Sequence, residues 1–160
     1  MGKLRYCLNH DECITEFWKV AREERWKEKK KEMKEEMETV QDLMKKAQRV
    51  FNEFIRLRDR DKPCVSCGRE LKGKYDAGHF YSSGGHKAIT FDEDNVHGQC
   101  VYCNQHKHGN LEPYRIELIN RIGQDRYIGL RSKSQETANY SREELRELIK
   151  KYKAKVKELK

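Results

Sequence analysis

The sequence predicts an α+β protein in which long charged helices flank a small core of short strands and loops stapled by cysteines. Three observations carry that reading. Cys64-x-x-Cys67 and Cys100-x-x-Cys103 form two knuckles separated by 32 residues. The stretch between and just beyond them, 64–110, is glycine-rich, holds five of the six histidines and loses helical periodicity. On either side run segments dominated by Glu, Lys and Arg, with apolar residues at helical spacing.

Composition limits the size of the core. Of 160 residues, 39% are charged and 36% hydrophobic, and 35 Lys+Arg against 27 Asp+Glu leave a net +8. Eight Tyr, five Phe and two Trp are too many for a disordered polyelectrolyte, so one modest core with charged extensions is expected. No apolar run approaches the roughly 20 residues that span a bilayer. The start Met1-Gly2-Lys3-Leu4-Arg5-Tyr6 has neither a signal-peptide apolar region nor a myristoylation Ser/Thr, so a cytoplasmic protein with no membrane partner is expected. In that compartment thiols stay reduced, and paired cysteines read as metal ligands. The positive charge points toward nucleic acid.

Four segments follow in order. Residues 1–38 form a charged helical arm: Cys7-x-x-His10-x-x-Cys13 offers three metal ligands, one too few for a closed zinc site, and a helix then runs over 14–37. Its charges stand in repelling i,i+4 columns, Glu28 with Glu32 and Glu36, and Lys27 with Lys31, so it reads as exposed. Residues 39–62 form an amphipathic helix with Leu43, Ala47, Val50, Phe51, Phe54 and Ile55 on one face, delivered by Pro63 into the first knuckle. Residues 63–123 form the core, closed by a helix opened by Pro113 and capped by Gly123. Residues 124–160 form a basic helical segment. There Ser141 and Glu144 make a capping box ahead of Leu145, Leu148, Ile149, Tyr152 and Val156.

Four thiolates from Cys64, Cys67, Cys100 and Cys103 suit a tetrahedral structural Zn2+, which leaves no open position for chemistry. Any reaction falls to residues held between or beside the knuckles: Asp76-Ala77-Gly78-His79, Asp92-Glu93-Asp94-Asn95-Val96-His97, and Asn104-Gln105-His106-Lys107-His108 after the second. An imidazole base with oxygen ligands for a divalent cation meets the needs of phosphodiester hydrolysis. Closing the hairpin at the zinc is expected to bring His79, Asn95 and Asn104 to one point.

A knuckle, a strand ending in Gly-His, a downstream Asn and then Cys-x-x-Cys-Asn resembles the zinc-stabilised HNH endonucleases and their ββα-metal core. More narrowly, the runs Phe51–Gly68, Asp76–Phe80 and Cys103–Lys107, continuing through Gly109-Asn110-Leu111-Glu112-Pro113-Tyr114-Arg115, resemble the lambdoid phage NinG family, also called Rap. The match covers about 40–130 and continues weakly into the last helix. This resemblance implies a structure-specific DNA endonuclease acting on Holliday junctions and D-loops in phage recombination. It carries His79 over as the general base, Asn95 as the residue that holds the loop and base in place, and Asn104 as a ligand of catalytic Mg2+ or Mn2+. Many HNH enzymes place a metal-binding Asp directly before the base, where this chain has Gly78; Asp76, on the same side of an extended strand, is the substitute.

His97, His106 and His108 compete for a remaining catalytic or phosphate role. On a helix starting near Val101, Asn104 and His108 share a face and His106 turns away, although His106 is the residue of the family pattern. His86 reads as a loop residue. Lys107, Arg115 and Lys87 are candidates for DNA phosphates, and Tyr81 or Tyr102 for sugars or the core. Two nicks across a junction need two active sites, so a homodimer and recombination protein partners are expected. Two rival readings stand: a zinc-ribbon DNA-binding adaptor without hydrolysis, and a sequence-specific homing or restriction HNH nuclease.

Overall fold

The computed structural model describes residues 10–160, with Cys7 outside them. They divide into two units, one ending at Thr39 and one spanning Val40–Lys160. The first contains helix α1, Asp11–Met37, which buries none of its residues. Trp18, Trp26, Met33 and Met37 are all exposed, consistent with a helix that has sparse apolar positions and charge on every side. The three-ligand reading of Cys7, His10 and Cys13 lies partly outside the described residues.

The second unit is built on α2, Val40–Arg58, and α5, Arg142–Glu158. Leu43, Ala47, Phe51, Phe54 and Ile55 recur at spacings of three, four or one and fall on one buried face of α2. The stripe of α5 docks on it through Leu145, Tyr152 and Val156, with the rings of Phe51 and Tyr152 edge to face at 4.8 Å. The last helix is therefore half of a core and not a free arm. Its start is fixed as the sequence predicts: Ser141 Oγ accepts from the Glu144 N–H at 3.1 Å, and the Glu144 carboxylate accepts from the Ser141 N–H at 2.8 Å.

Strands β1, Tyr75–His79, and β2, Val96–Cys100, form a two-stranded antiparallel sheet pairing Tyr75 with Cys100 and His79 with Val96. Ala77 and Val96 face the α2–α5 core. Behind the sheet lies a second cluster of Val65, Ile89, Tyr114, Leu118 and Leu130. It is completed by α3, Leu111–Ile122, and α4, Gln124–Lys133, with Gly123 closing α3.

One buried carboxylate ties the sheet to α2. Asp59 accepts from the Gly98 N–H at 2.9 Å and takes both arms of the Arg58 guanidinium, at 2.9 and 2.7 Å. Burial opposes its charge, but the Arg58 fork and the Gly98 N–H outweigh it and hold the carboxyl at about 2. Arg58 also donates to the carbonyls of Glu93 and Val96, at 3.0 and 2.8 Å. Gly98 is needed for this approach, because a Cβ there would lie 2.8 Å from Leu71 and 3.1 Å from Asp59. Among the described residues, no helix is long and apolar enough to cross a membrane.

Candidate metal centre and adjoining polar site

The first knuckle is a tight hairpin. Cys64 N–H donates to Arg69 O at 2.8 Å and Gly68 N–H to Cys64 O at 2.9 Å, while Val65 N–H donates to Gly98 O at 3.1 Å and docks the hairpin on β2. The second knuckle begins at the end of β2. One sulfur from each of Cys64, Cys67, Cys100 and Cys103 lies within 4.8 Å of the others, with Cys67 and Cys100 sulfurs at 3.9 Å. A zinc–sulfur bond of about 2.3 Å gives a tetrahedron with edges of about 3.8 Å, so the four can hold a structural metal such as zinc. Backbone N–H groups of Cys100 and Cys103 point at sulfurs of Cys64 and Cys100, at 3.4 and 3.5 Å. Burial, then the neighbouring thiols, push the Cys103 thiol up to about 12. A cation would make four thiolates tolerable there.

Beside the centre, Asp76 Oδ2 accepts from Asn104 Nδ2 at 2.9 Å and from Gln105 Nε2 at 2.8 Å. Asp76 thus meets the predicted Asn104, and Gln105 is a partner that sequence reasoning missed. Gly78 shares the Asp76 face of β1. A Cβ there would fall 2.1 Å from Gln99 Oε1, so no carboxylate can stand directly before His79. The buried Gln99 donates from Nε2 to Ser66 Oγ and Gly109 O, both at 2.6 Å, which locks it over Gly78.

His79 ends β1 on the opposite face from Asp76, as strand alternation requires. Its Nε2 lies 3.0 Å from Thr90 O. A carbonyl cannot donate, so Nε2 carries the proton and the neutral ring has its lone pair on Nδ1. Asn95 is fully buried, and its side chain hydrogen-bonds to the backbone of Tyr81 and Ile89 and to neither His79 nor Asn104. Its carboxamide accepts from Tyr81 N–H at 2.8 Å and donates to the carbonyls of Tyr81 and Ile89, at 2.9 and 3.1 Å. It clamps the loop that carries Thr90, next in sequence to Ile89. By hydrogen bonding, Asp76–Asn104–Gln105 and His79–Thr90 are thus two separate groups, and Asn95 holds the loop of the second.

The helix expected from Val101 is corrected. Residues Tyr102–His106 form a π turn, with Lys107 N–H donating to Tyr102 O at 3.0 Å. His108 and Asn110 then take left-handed conformations, φ 49° and 46°. His108 is therefore not on a helical face with Asn104. His106 and Lys107 are exposed beside the Tyr102 ring, at 6.0 Å between ring centroids and 5.3 Å from Nζ to centroid. Arg115 pairs with Glu112 on the surface at 3.3 Å. His86 is a loop residue held by Ser134 O at 2.8 Å from Nδ1. Tyr81 packs its ring on Phe80, and Lys87 lends its carbonyl to Tyr140.

His97 is buried under Tyr114, whose hydroxyl donates to Gly78 O at 2.9 Å and lies 3.4 Å from His97 Nδ1. Burial, then nearby Arg58, hold its pKa at about 3, partly opposed by Asp59, so the folded ring is neutral. Between the ordinary 6.5 and about 3 the unfolded chain binds a proton that the folded chain refuses, and stability falls as pH falls through that window. Above 6.5 the contribution is constant. In urea unfolding, moving from pH 7 to pH 5 should cost the unmodified protein about 2 kcal/mol more than His97→Gln. Equal losses would show that another group is responsible.

Comparison with known proteins places the chain beside one group of phage proteins. The chain is 48% identical over 116 residues to "Protein ninG" of Escherichia phage 933W, covering 72% of this chain and 57% of that protein. Against "Protein ninG" of Escherichia phage lambda it is 45% identical over 116 residues, covering 72% and 56%. Against that of Salmonella phage P22 it is 55% identical over 80 residues, covering 50% and 39%. The alignments thus span little more than half the length of the first two of these relatives. No solved structure matches the chain. The model of the family described as "Bacteriophage Lambda NinG protein" matches residues 8–160, nearly the whole chain and all of the cysteine centre with its polar neighbours, and the chain belongs to that family.

Proposed function

We propose that the protein is a metal-dependent, structure-specific DNA endonuclease of HNH type, which cleaves branched recombination intermediates such as Holliday junctions and D-loops. The observation that carries this reading is the content of one cysteine-stapled hairpin. It holds an imidazole with a fixed tautomer, His79, and a carboxylate–carboxamide pair, Asp76 with Asn104. Zn2+ on the four cysteines fixes the hairpin. A divalent ion, Mg2+ or Mn2+, would neutralise charge on the phosphate and the departing 3′ oxygen. Asp76 and Asn104 offer its oxygen donors, once the Asn104 carboxamide turns to present Oδ1 in place of the Nδ2 that now donates to Asp76.

In this scheme a phosphodiester lies across the end of β1 and joins the two faces. Water attacks phosphorus, its proton passes to His79 Nδ1, and the bond from phosphorus to the 3′ oxygen breaks. Thr90 O keeps Nε2–H in place, and Asn95 holds the loop that sets Thr90. Paired nicks require two copies of the site, hence a homodimer working with other recombination proteins.

One observation favours a second reading, a non-catalytic zinc-ribbon adaptor: Asp76 is already satisfied by Asn104 and Gln105 and faces away from His79. The test is cleavage of a labelled four-way junction beside a linear duplex of the same sequence, with magnesium or manganese. Junction-selective cutting is expected. Equal cutting of both substrates would keep the enzyme and discard structure specificity, and tight binding without cutting would establish the adaptor.

A further inference from the structure

The π turn does something an α-helix could not. In an α-helix, residues five apart lie about 140° apart around the axis. The i→i+5 hydrogen bond from Lys107 N–H to Tyr102 O winds the backbone more slowly and swings Lys107 back over Tyr102. The ring stays 52% exposed, with Lys107 Nζ 5.3 Å from its centroid and the His106 ring tilted beside it at 6.0 Å. The same turn carries Asn104 and Gln105, both bonded to Asp76. An exposed aromatic ring and an exposed cation therefore stand on the backbone segment that completes the polar site.

A nucleotide matches this pair, having one flat π-face and one phosphate. Every base inside a duplex has both faces covered by its neighbours, whereas an unpaired base at a branch point does not. We propose that Tyr102, with Lys107 and His106, is a clamp for an unpaired nucleotide of branched DNA, the base stacking on Tyr102 and the phosphate held by Lys107. This rests on the nucleic-acid reading above and gives it a physical source of preference for branched DNA that carries unpaired nucleotides, as a D-loop does, independent of base identity, since any base can stack.

The experiment uses the full zinc-loaded chain without magnesium or manganese, so that nothing is cut. The probes are a three-way junction with two unpaired nucleotides at the branch, one of them 2-aminopurine, and a linear duplex of the same sequence. The unmodified protein should bind the junction more tightly than the duplex and quench the 2-aminopurine. Tyr102→Leu, which keeps apolar bulk between the knuckle cysteines but removes the π-face, should lose roughly 10- to 100-fold in junction affinity with duplex affinity unchanged. Tyr102→Phe should bind as the unmodified protein does. Lys107→Ala should weaken both probes and reduce the salt dependence. Zinc content and circular dichroism check that each variant is folded. Equal junction binding and quenching by Tyr102→Leu, or a loss in Tyr102→Phe as large as in Tyr102→Leu, would overturn the clamp and leave the endonuclease reading intact. No DNA binding by the unmodified protein would overturn both.

Discussion

His79→Ala is expected to lower the single-turnover rate of junction cutting by about 10²- to 10⁴-fold, the usual contribution of a positioned general base. DNA affinity and the zinc centre should persist, because the ring is held by backbone carbonyls, that of Thr90 at 3.0 Å, and supports none of the four cysteines. The pH profile supplies the independent signature. Burial lowers the pKa of His79 below the ordinary 6.5, partly opposed by the carbonyls of Thr90 and Ala77. The neutral, proton-accepting ring therefore dominates at pH 7. The rate should rise with pH through a midpoint below 6.5 and flatten above it, and the alanine variant should lack that step. A variant that cuts at the unmodified rate would remove His79 from the chemistry.

Stripping zinc is expected to have the largest effect on the fold. Structural zinc sites contribute on the order of 10–16 kcal/mol in apparent binding. Net domain stabilities are only about 5–15 kcal/mol. Between Cys64 and Cys103 the described chain has ten strand residues and one short 3₁₀ turn, and besides the cysteines only Val65, Leu71, Ala77, Ile89, Phe91 and Val96 are buried apolar residues that could hold it without that term. Hydrogen exchange of a chelator-treated sample should therefore show lost amide protection across 64–110, and Cys100→Ser should behave the same way. Full protection in a metal-free sample would mean that the packing of Val65, Ile89 and Tyr114 is sufficient and the cysteines are not a staple.

The parts of the fold that were legible in the sequence are those with a local or periodic signature. The apolar face of α2, the stripe and capping box of α5, and the two knuckles each follow from spacing, and all appear where that spacing puts them. The polar site was legible only in part. Asp76 and Asn104 do meet, since 76 and 78 share a strand face, but Gln105 joins them through a π turn that no hydrophobic period announces. That turn depends on left-handed His108 and Asn110 and on Cys103 being drawn to the other sulfurs. Likewise Asp59 reaches Gly98, and Gln99 lies over Gly78, across distances in sequence that leave no pattern to read. His97 could not be told from a surface imidazole until Tyr114, seventeen positions on, was seen to cover it.

The pairing of α2 with α5 also sets a timetable for synthesis. On a ribosome adding about 5–20 residues per second, the buried face of α2 emerges several seconds before its partner. During that interval Leu43, Phe51, Phe54 and Ile55 have no α5 to cover them, although the knuckles at 64–103 can already gather a metal. The nascent chain would be a metal-closed hairpin whose Ala77, Phe91 and Val96 cover only part of the apolar face of α2, a natural client for holding chaperones. Nonsense or frameshift changes before Leu145 that spare the hairpin would leave the α5 side of that helix permanently uncovered, so such truncated products should be cleared by proteolysis even when every residue of the polar site has been made.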